Sequence, residues 1–336
     1  MKPDAIEGAR RVPHGGCTDP GITDFSANIN PRIPSGIAGV YEGALMQSKR
    51  YPADDYPEYR TVAGEYVGCP PEDIVPTPGG LAGIRLALAT SVSCDDSVLV
   101  PAPSFGEYAR EVELQGGVVE RVPHDEILRT DPSDHAMAIV CNPNNPTGTV
   151  YESGDLLDFL ARCRHADTTL LVDEAFLGFT DRPSMAGQRG AIVARSLTKL
   201  FGLPGLRAGF LVASGAPGER LKNARRTWNL STPAVAVGAH CMAQREFVTE
   251  TRERVRTERE RLVAALDGEY DVSPSEAPFL LLETGERAVD RVIERVALED
   301  MTVRDARTFR GLDSHVRVAI RTPEENDRLL DALLDV

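Results

Sequence analysis

Six short apolar runs recur across residues 97–214: SVLVPAP, GVVERV, MAIVCNP, TLLVDEAF, AIVARSL and AGFLVAS. Each is rich in Val, Ile or Leu and none alternates cleanly, which is how strands buried on both faces read. Amphipathic stretches fall between them, at GGLAGIRLALATSV (79–92), FGEYAREVELQGG (105–117) and ESGDLLDFLARCRHA (152–166). Strand and helix in alternation imply an α/β fold with a mainly parallel sheet. In such sheets ligands bind beyond the carboxyl ends of the strands, so the residues just after each run carry the functional expectation.

Past residue 230 the pattern changes. A long charged helical stretch (AVAVGAHCMAQREFVTETRERVRTERERLVAAL) leads into FLLLET, RAVDRVIERVALED, HVRVAIR and a last helix after TPEEN. The organisation read from this is an N-terminal arm over 1–30, a large domain over 31–230 and a smaller α+β C-terminal domain over 231–336. The Arg/Glu run reads as a solvated helix face.

The chain has 336 residues and a net charge of −14, which argues against nucleic acid or an anionic membrane as a partner. No run approaches the roughly 20 apolar residues of a membrane span, and MKPDAIEGARRVPHGG lacks the apolar centre of a signal peptide. A cytoplasmic location is the expectation. The six cysteines are scattered with no CxxC, so neither a metal site nor a disulfide framework is expected. Lysine is rare: Lys2, Lys49, Lys199 and Lys222 are the only four among 37 basic residues. An acidic, lysine-poor surface suits a salt-loving host, and an arginine-favouring genome would leave the same mark.

Four segments at strand ends or helix starts carry unusual polar residues. CNPNNPTGTV puts Asn145 in a turn, and in TLLVDEAF the apolar TLLV is followed by Asp173, a carboxylate whose burial demands a cation. SLTKLFGLPGLR brings Ser196, Thr198, Lys199 and Arg207 off one strand. PGGLAGI opens a helix on Gly79 and Gly80, where free N–H groups and the helix dipole favour an anion. Together these suit pyridoxal phosphate, which needs a lysine amine, an acid beside its ring nitrogen and an anion cradle. No GxGxxG follows a first strand, which counts against a dinucleotide-binding dehydrogenase.

With NPTG, DEAF and SLTK followed by Arg207, the chain resembles the fold-type I pyridoxal-phosphate enzymes of the aminotransferase group. HGG (14–16), DFSANINP (24–31), RYPADDYPEYR (50–60), PAPSFGEY (101–108) and VRDARTFRGLDSHVRVAIRTPEEND (303–327) extend the resemblance along most of its length. They are similar to the threonine-phosphate decarboxylases of cobalamin synthesis, with the histidinol-phosphate aminotransferases as the alternative. Those aminotransferases usually carry Tyr at the position of Phe176 and Gly at that of Arg321.

The resemblance implies a role for each matching residue. Asn145 and Asp173 would bond the cofactor ring, and Phe105 would stack on it, with Tyr108 shaping the same wall. Phe176, lacking a phenolic hydroxyl, would leave more of the ring contact to Asn145. Gly80, Leu81, Ser196, Thr198 and Arg207 would hold the cofactor phosphate, joined by Tyr51 from the second subunit of a homodimer. Lys199 would be the covalent and proton-transferring residue. His14, Asn30, Arg317 and Arg321 would take a small phosphorylated amino-acid substrate. The two arginines, four apart in RVAIR, would face one side of a strand and grip two anionic groups. The implied reaction converts O-phospho-L-threonine to (R)-1-aminopropan-2-yl phosphate and carbon dioxide.

Overall fold

A computed structural model describes residues 1–285 and 287–335. A two-residue strand, β1 (Thr23–Asp24), lies within the N-terminal arm. The apolar runs then form most of a seven-stranded sheet. Its strands are β2 (Ile74–Thr77), β3 (Ser97–Ala102), β4 (Val118–Pro123), β5 (Met137–Cys141), β6 (Thr169–Asp173), β7 (Ala191–Ser196) and β8 (Gly209–Val212), in the order β2-β8-β7-β6-β5-β3-β4.

The run from β4 to β7 across the sheet is parallel, and β8 lies antiparallel between β7 and β2. β5 is buried along its whole length and β6 at all but its first residue, because helices cover both faces; this is why neither alternates in sequence. β2 stands apart from the six runs: it is four residues long and holds Pro76 at the sheet edge, where a missing N–H costs least.

A second sheet of four strands follows. It contains β9 (Asp271–Val272), β10 (Phe279–Glu283), β12 (Arg304–Asp305) and β13 (His315–Ala319), in the order β12-β13-β10-β9, all antiparallel. β11 (Met301–Thr302) pairs instead with β1, so the arm is tied to the C-terminal segment. The last helix, Pro323–Leu334, starts on a capping box: the Thr322 hydroxyl accepts from Glu325 N and the Glu325 carboxylate accepts from Thr322 N.

The charged stretch after residue 230 is two helices, Thr232–Ala243 and Arg245–Leu266, broken at Gln244 (φ −83°, ψ 69°). The first packs against helices Ile37–Gln47 and Pro57–Val67 beside the large sheet. The second exposes most of its Arg and Glu side chains and buries Val248, Val255 and Leu262.

Candidate active site

The carboxyl ends of β5, β6 and β7 open into a cavity of about 360 Å3, with the arm across one side. Two side chains hold that arm in place. Asp24 Oδ1 accepts from Ser26 N (2.7 Å) and Ser26 Oγ (2.6 Å), and its Oδ2 accepts from Cys17 N (3.0 Å). Ser26 Oγ accepts in turn from Gly16 N at 2.8 Å, which folds the HGG loop back over the cavity.

Lys199 leaves the loop after β7 and donates to Ala27 O at 2.8 Å. Burial, with Arg317 and Arg207 nearby, brings its amine down to about 8, so the neutral form is far more accessible near neutrality than for an exposed lysine. Asp173, the last residue of β6, is buried and accepts from Tyr108 Oη (2.6 Å) and Ala175 N (3.0 Å). Burial pushes its carboxyl up; the two hydrogen bonds pull the other way. Among the described residues no basic side chain lies within ion-pair distance of Asp173, whose hydrogen-bond partners are Tyr108 and Ala175.

The anion cradle is set by close approach. A Cβ on Gly79 (φ 91°) would fall 2.7 Å from Arg207 Nη2, and one on Gly80 would fall 3.3 Å from Ser196 Cβ. Helix Gly80–Ser91 starts there and aims its free N–H groups at the same spot as the Ser196–Thr198 hydroxyl pair, 2.8 Å apart. Arg207 (φ 55°) completes the ring of donors.

Gly80, Leu81, Phe105, Tyr108, Asn145, Asp173, Phe176, Ser196, Thr198, Lys199, Arg207, His14 and Arg317 all line this cavity. Tyr108 does more than shape a wall: its buried ring holds Asp173. Phe105 packs edge-on to Tyr108 at 5.5 Å, and His14 lies 5.6 Å from Phe105 while its Nε2 meets Glu107 Oε1 at 2.9 Å. Phe176 packs edge-on to Phe279 at 5.1 Å, an apolar contact that a phenolic hydroxyl would not improve. Tyr51 is apart from the cavity of its own chain; it is exposed and stacks on Trp228 at 4.2 Å.

Two residues expected at the substrate, Asn30 and Arg321, do not line the cavity. Asn30 is turned away from the cavity: its Nδ2 donates to Leu200 O (2.8 Å) and Thr251 Oγ1 (3.2 Å), and its Oδ1 accepts from Arg32 N (3.1 Å) and Arg254 Nη2 (2.8 Å). It is a structural pin under the Lys199 loop. Arg321 lies past the end of β13, so the strand spacing does not reach it. Its guanidinium is taken by Asp24 O (3.0 Å) and Glu325 Oε1 (2.8 Å).

Asn28 and Arg304 occupy the places left. Asn28 lines the cavity with a left-handed backbone (φ 53°) and a buried Oδ1 that has no partner, a conformation Asn tolerates better than most residues. That turn is why Asn28 and Asn30 do not share a face. Arg304 sits directly opposite Arg317 across β12 and β13, both buried. Arg304 donates to Pro13 O (2.7 Å) and Thr308 Oγ1 (2.8 Å); Arg317 donates to Ser26 O (2.8 Å) and to Asn145 Oδ1. All four partners are neutral, and Arg317 Nε has none. Burial and Arg304 bring Arg317 down to about 9.

A mainly parallel sheet with an amine after one strand, an acid at the end of the next and a glycine-opened anion cradle defines a fold-type I pyridoxal-phosphate enzyme. The chain belongs to the aminotransferase class I and II family, whose sequence profile matches residues 23–333, and its cofactor is pyridoxal phosphate. It is 30% identical to the threonine-phosphate decarboxylase of Salmonella typhimurium over 334 residues, covering 94% of this chain and 91% of the relative. Histidinol-phosphate aminotransferase 2 of Archaeoglobus fulgidus is also 30% identical, over 330 residues, covering 95% and 94%. The crystal structure of L-threonine-O-3-phosphate decarboxylase from Porphyromonas gingivalis superposes with a TM-score of 0.83 at 25% identity, covering 94% and 99%.

Proposed function

We propose that this enzyme decarboxylates O-phospho-L-threonine to (R)-1-aminopropan-2-yl phosphate and carbon dioxide, a step of cobalamin synthesis. The observation that carries the reading is the Arg304–Arg317 pair. Two buried guanidiniums side by side, each with neutral partners, ask for a ligand with two anionic groups. Phosphate and carboxylate on one small amino acid meet that demand.

Pyridoxal phosphate, when bound, supplies an electron sink for the bond that breaks at the substrate's α-carbon. Asp173 would pair with the cofactor's ring nitrogen, and Tyr108 holds that carboxylate by its 2.6 Å bond. Phe105 and Asn145 would confine the ring; Gly80, Leu81, Ser196, Thr198 and Arg207 would bind the phosphate. Arg304 and Arg317, with His14 and Asn28, would hold the substrate's two anionic groups and so fix the direction of its carboxylate. Lys199, whose amine donates to Ala27 O, would hold the cofactor and would deliver a proton to the substrate's α-carbon.

Tyr51 completes the phosphate site of a second copy. It is exposed, as are the apolar helix side chains Tyr41, Leu45 and Met46 shortly before it in the chain, surface that a homodimer would cover.

The second reading is histidinol-phosphate aminotransferase, favoured by curated relatives of equal identity. The test is carbon dioxide release from O-phospho-L-threonine against 2-oxoglutarate consumption with histidinol phosphate. Transamination without carbon dioxide release overturns the proposal.

A further inference from the structure

The turn Ala306–Thr308 after β12 folds the chain back, so that Thr308 bonds Arg304 and the next residue, Phe309, lies against both cavity arginines. Asp305 pins that turn by accepting from Arg307 N at 2.9 Å. The Phe309 ring centroid lies 5.5 Å from the Arg304 guanidinium carbon and 5.6 Å from that of Arg317. Phe279 meets Arg317 at 5.1 Å from another side. Like charges directly opposite across two strands repel, yet among the described residues no carboxylate lies within ion-pair distance of either arginine. Asp24, bound to Ser26 and Cys17, acts on Arg317 only through space.

This is unusual in a chain with 51 acidic residues. A carboxylate between the two guanidiniums would offset their repulsion, but it would occupy the N–H groups and cancel the charge that a substrate reads. An aromatic face offsets the repulsion through its quadrupole and accepts no strong hydrogen bond, so the donors stay free.

We propose that Phe309 is a specificity-determining positioning residue: its ring is the shared neutral counterface that holds Arg304 and Arg317 together and leaves both open to a doubly anionic ligand. The inference rests on the reading that these arginines contact the substrate. It adds the reason they can coexist unpaired.

The test uses cofactor-loaded enzyme and two probes that lack an amine and do not react: 3-phosphonopropionate, with two anionic groups, and propionate, with one. Dissociation constants come from calorimetry. The wild type should bind 3-phosphonopropionate far more tightly than propionate. Phe309→Leu, which keeps apolar bulk without a π face, should weaken 3-phosphonopropionate at least about tenfold while cofactor affinity stays within about twofold. Phe309→Tyr should restore binding to within about threefold of wild type.

An unchanged leucine variant overturns the inference, as does a tyrosine variant as weak as the leucine one, which would mark a packing role. So does a wild type that does not prefer the dianion. If Phe309→Leu fails to load cofactor, Phe309→Met against Phe309→Tyr decides the same question. A wild type that binds 3-phosphonopropionate but releases no carbon dioxide from O-phospho-L-threonine sinks the functional reading alone.

Discussion

Tyr108 Oη donates a 2.6 Å hydrogen bond to Asp173 Oδ2, joining the helix after β3 to the end of β6 inside the cavity wall. Burial favours the neutral acid, and this short charge-assisted bond favours the carboxylate. Tyr108→Phe should therefore lower kcat about tenfold and weaken cofactor binding, with the fold intact by circular dichroism. Asp173→Asn should cost at least about a hundredfold, and Phe176→Tyr far less, since Phe176 contributes only an apolar face. Equal losses for Asp173→Asn and Phe176→Tyr would show that the ring nitrogen lies elsewhere.

Lys199 gives a pH signature. Its folded value of about 8 lies below the usual lysine value because burial disfavours the charged amine. The neutral amine is the form that attacks an aldehyde, so the rate at which apoenzyme takes up pyridoxal phosphate should rise with pH and level off above about 8. An exposed lysine would level off near 10.4. The yellow holoenzyme should be bleached by borohydride, with the label on the Lys199 peptide, and Lys199→Ala should abolish turnover.

The arginines separate by place. Arg304→Met and Arg317→Met should each reduce kcat/KM for the phosphorylated substrate by about a hundredfold or more, the loss of a buried charge-assisted contact. Arg321→Met breaks its bond to Glu325 at the mouth of the last helix and should lower Tm with a much smaller change in kcat/KM. A profile in which Arg321 dominates would contradict the assignment of Arg304.

Tyr51 is tested by mixing. Lys199→Ala and Tyr51→Ala chains, each inactive or crippled alone, should regain up to about a quarter of wild-type activity when refolded together, because half the dimers then hold one intact site. No recovery despite mixed dimers by native mass spectrometry would place Tyr51 outside the site.

The large sheet and the cofactor end of the site were legible in the amino-acid sequence because each depends on local order. Strands buried on both faces must be apolar throughout, and in a parallel sheet the residues after each run gather at one edge, which is why Lys199, Asp173 and Asn145 were found together. The substrate end was not legible in this way. The left-handed turn at Asn28 swaps it with Asn30, and the end of β13 at Ala319 removes Arg321 from the strand face. Arg304 meets Arg317, and Phe309 meets both, only through the β12–β13 register and the turn that follows it. Periodicity along one segment carries no record of the register between two, so that part of the site was decided by tertiary pairing alone.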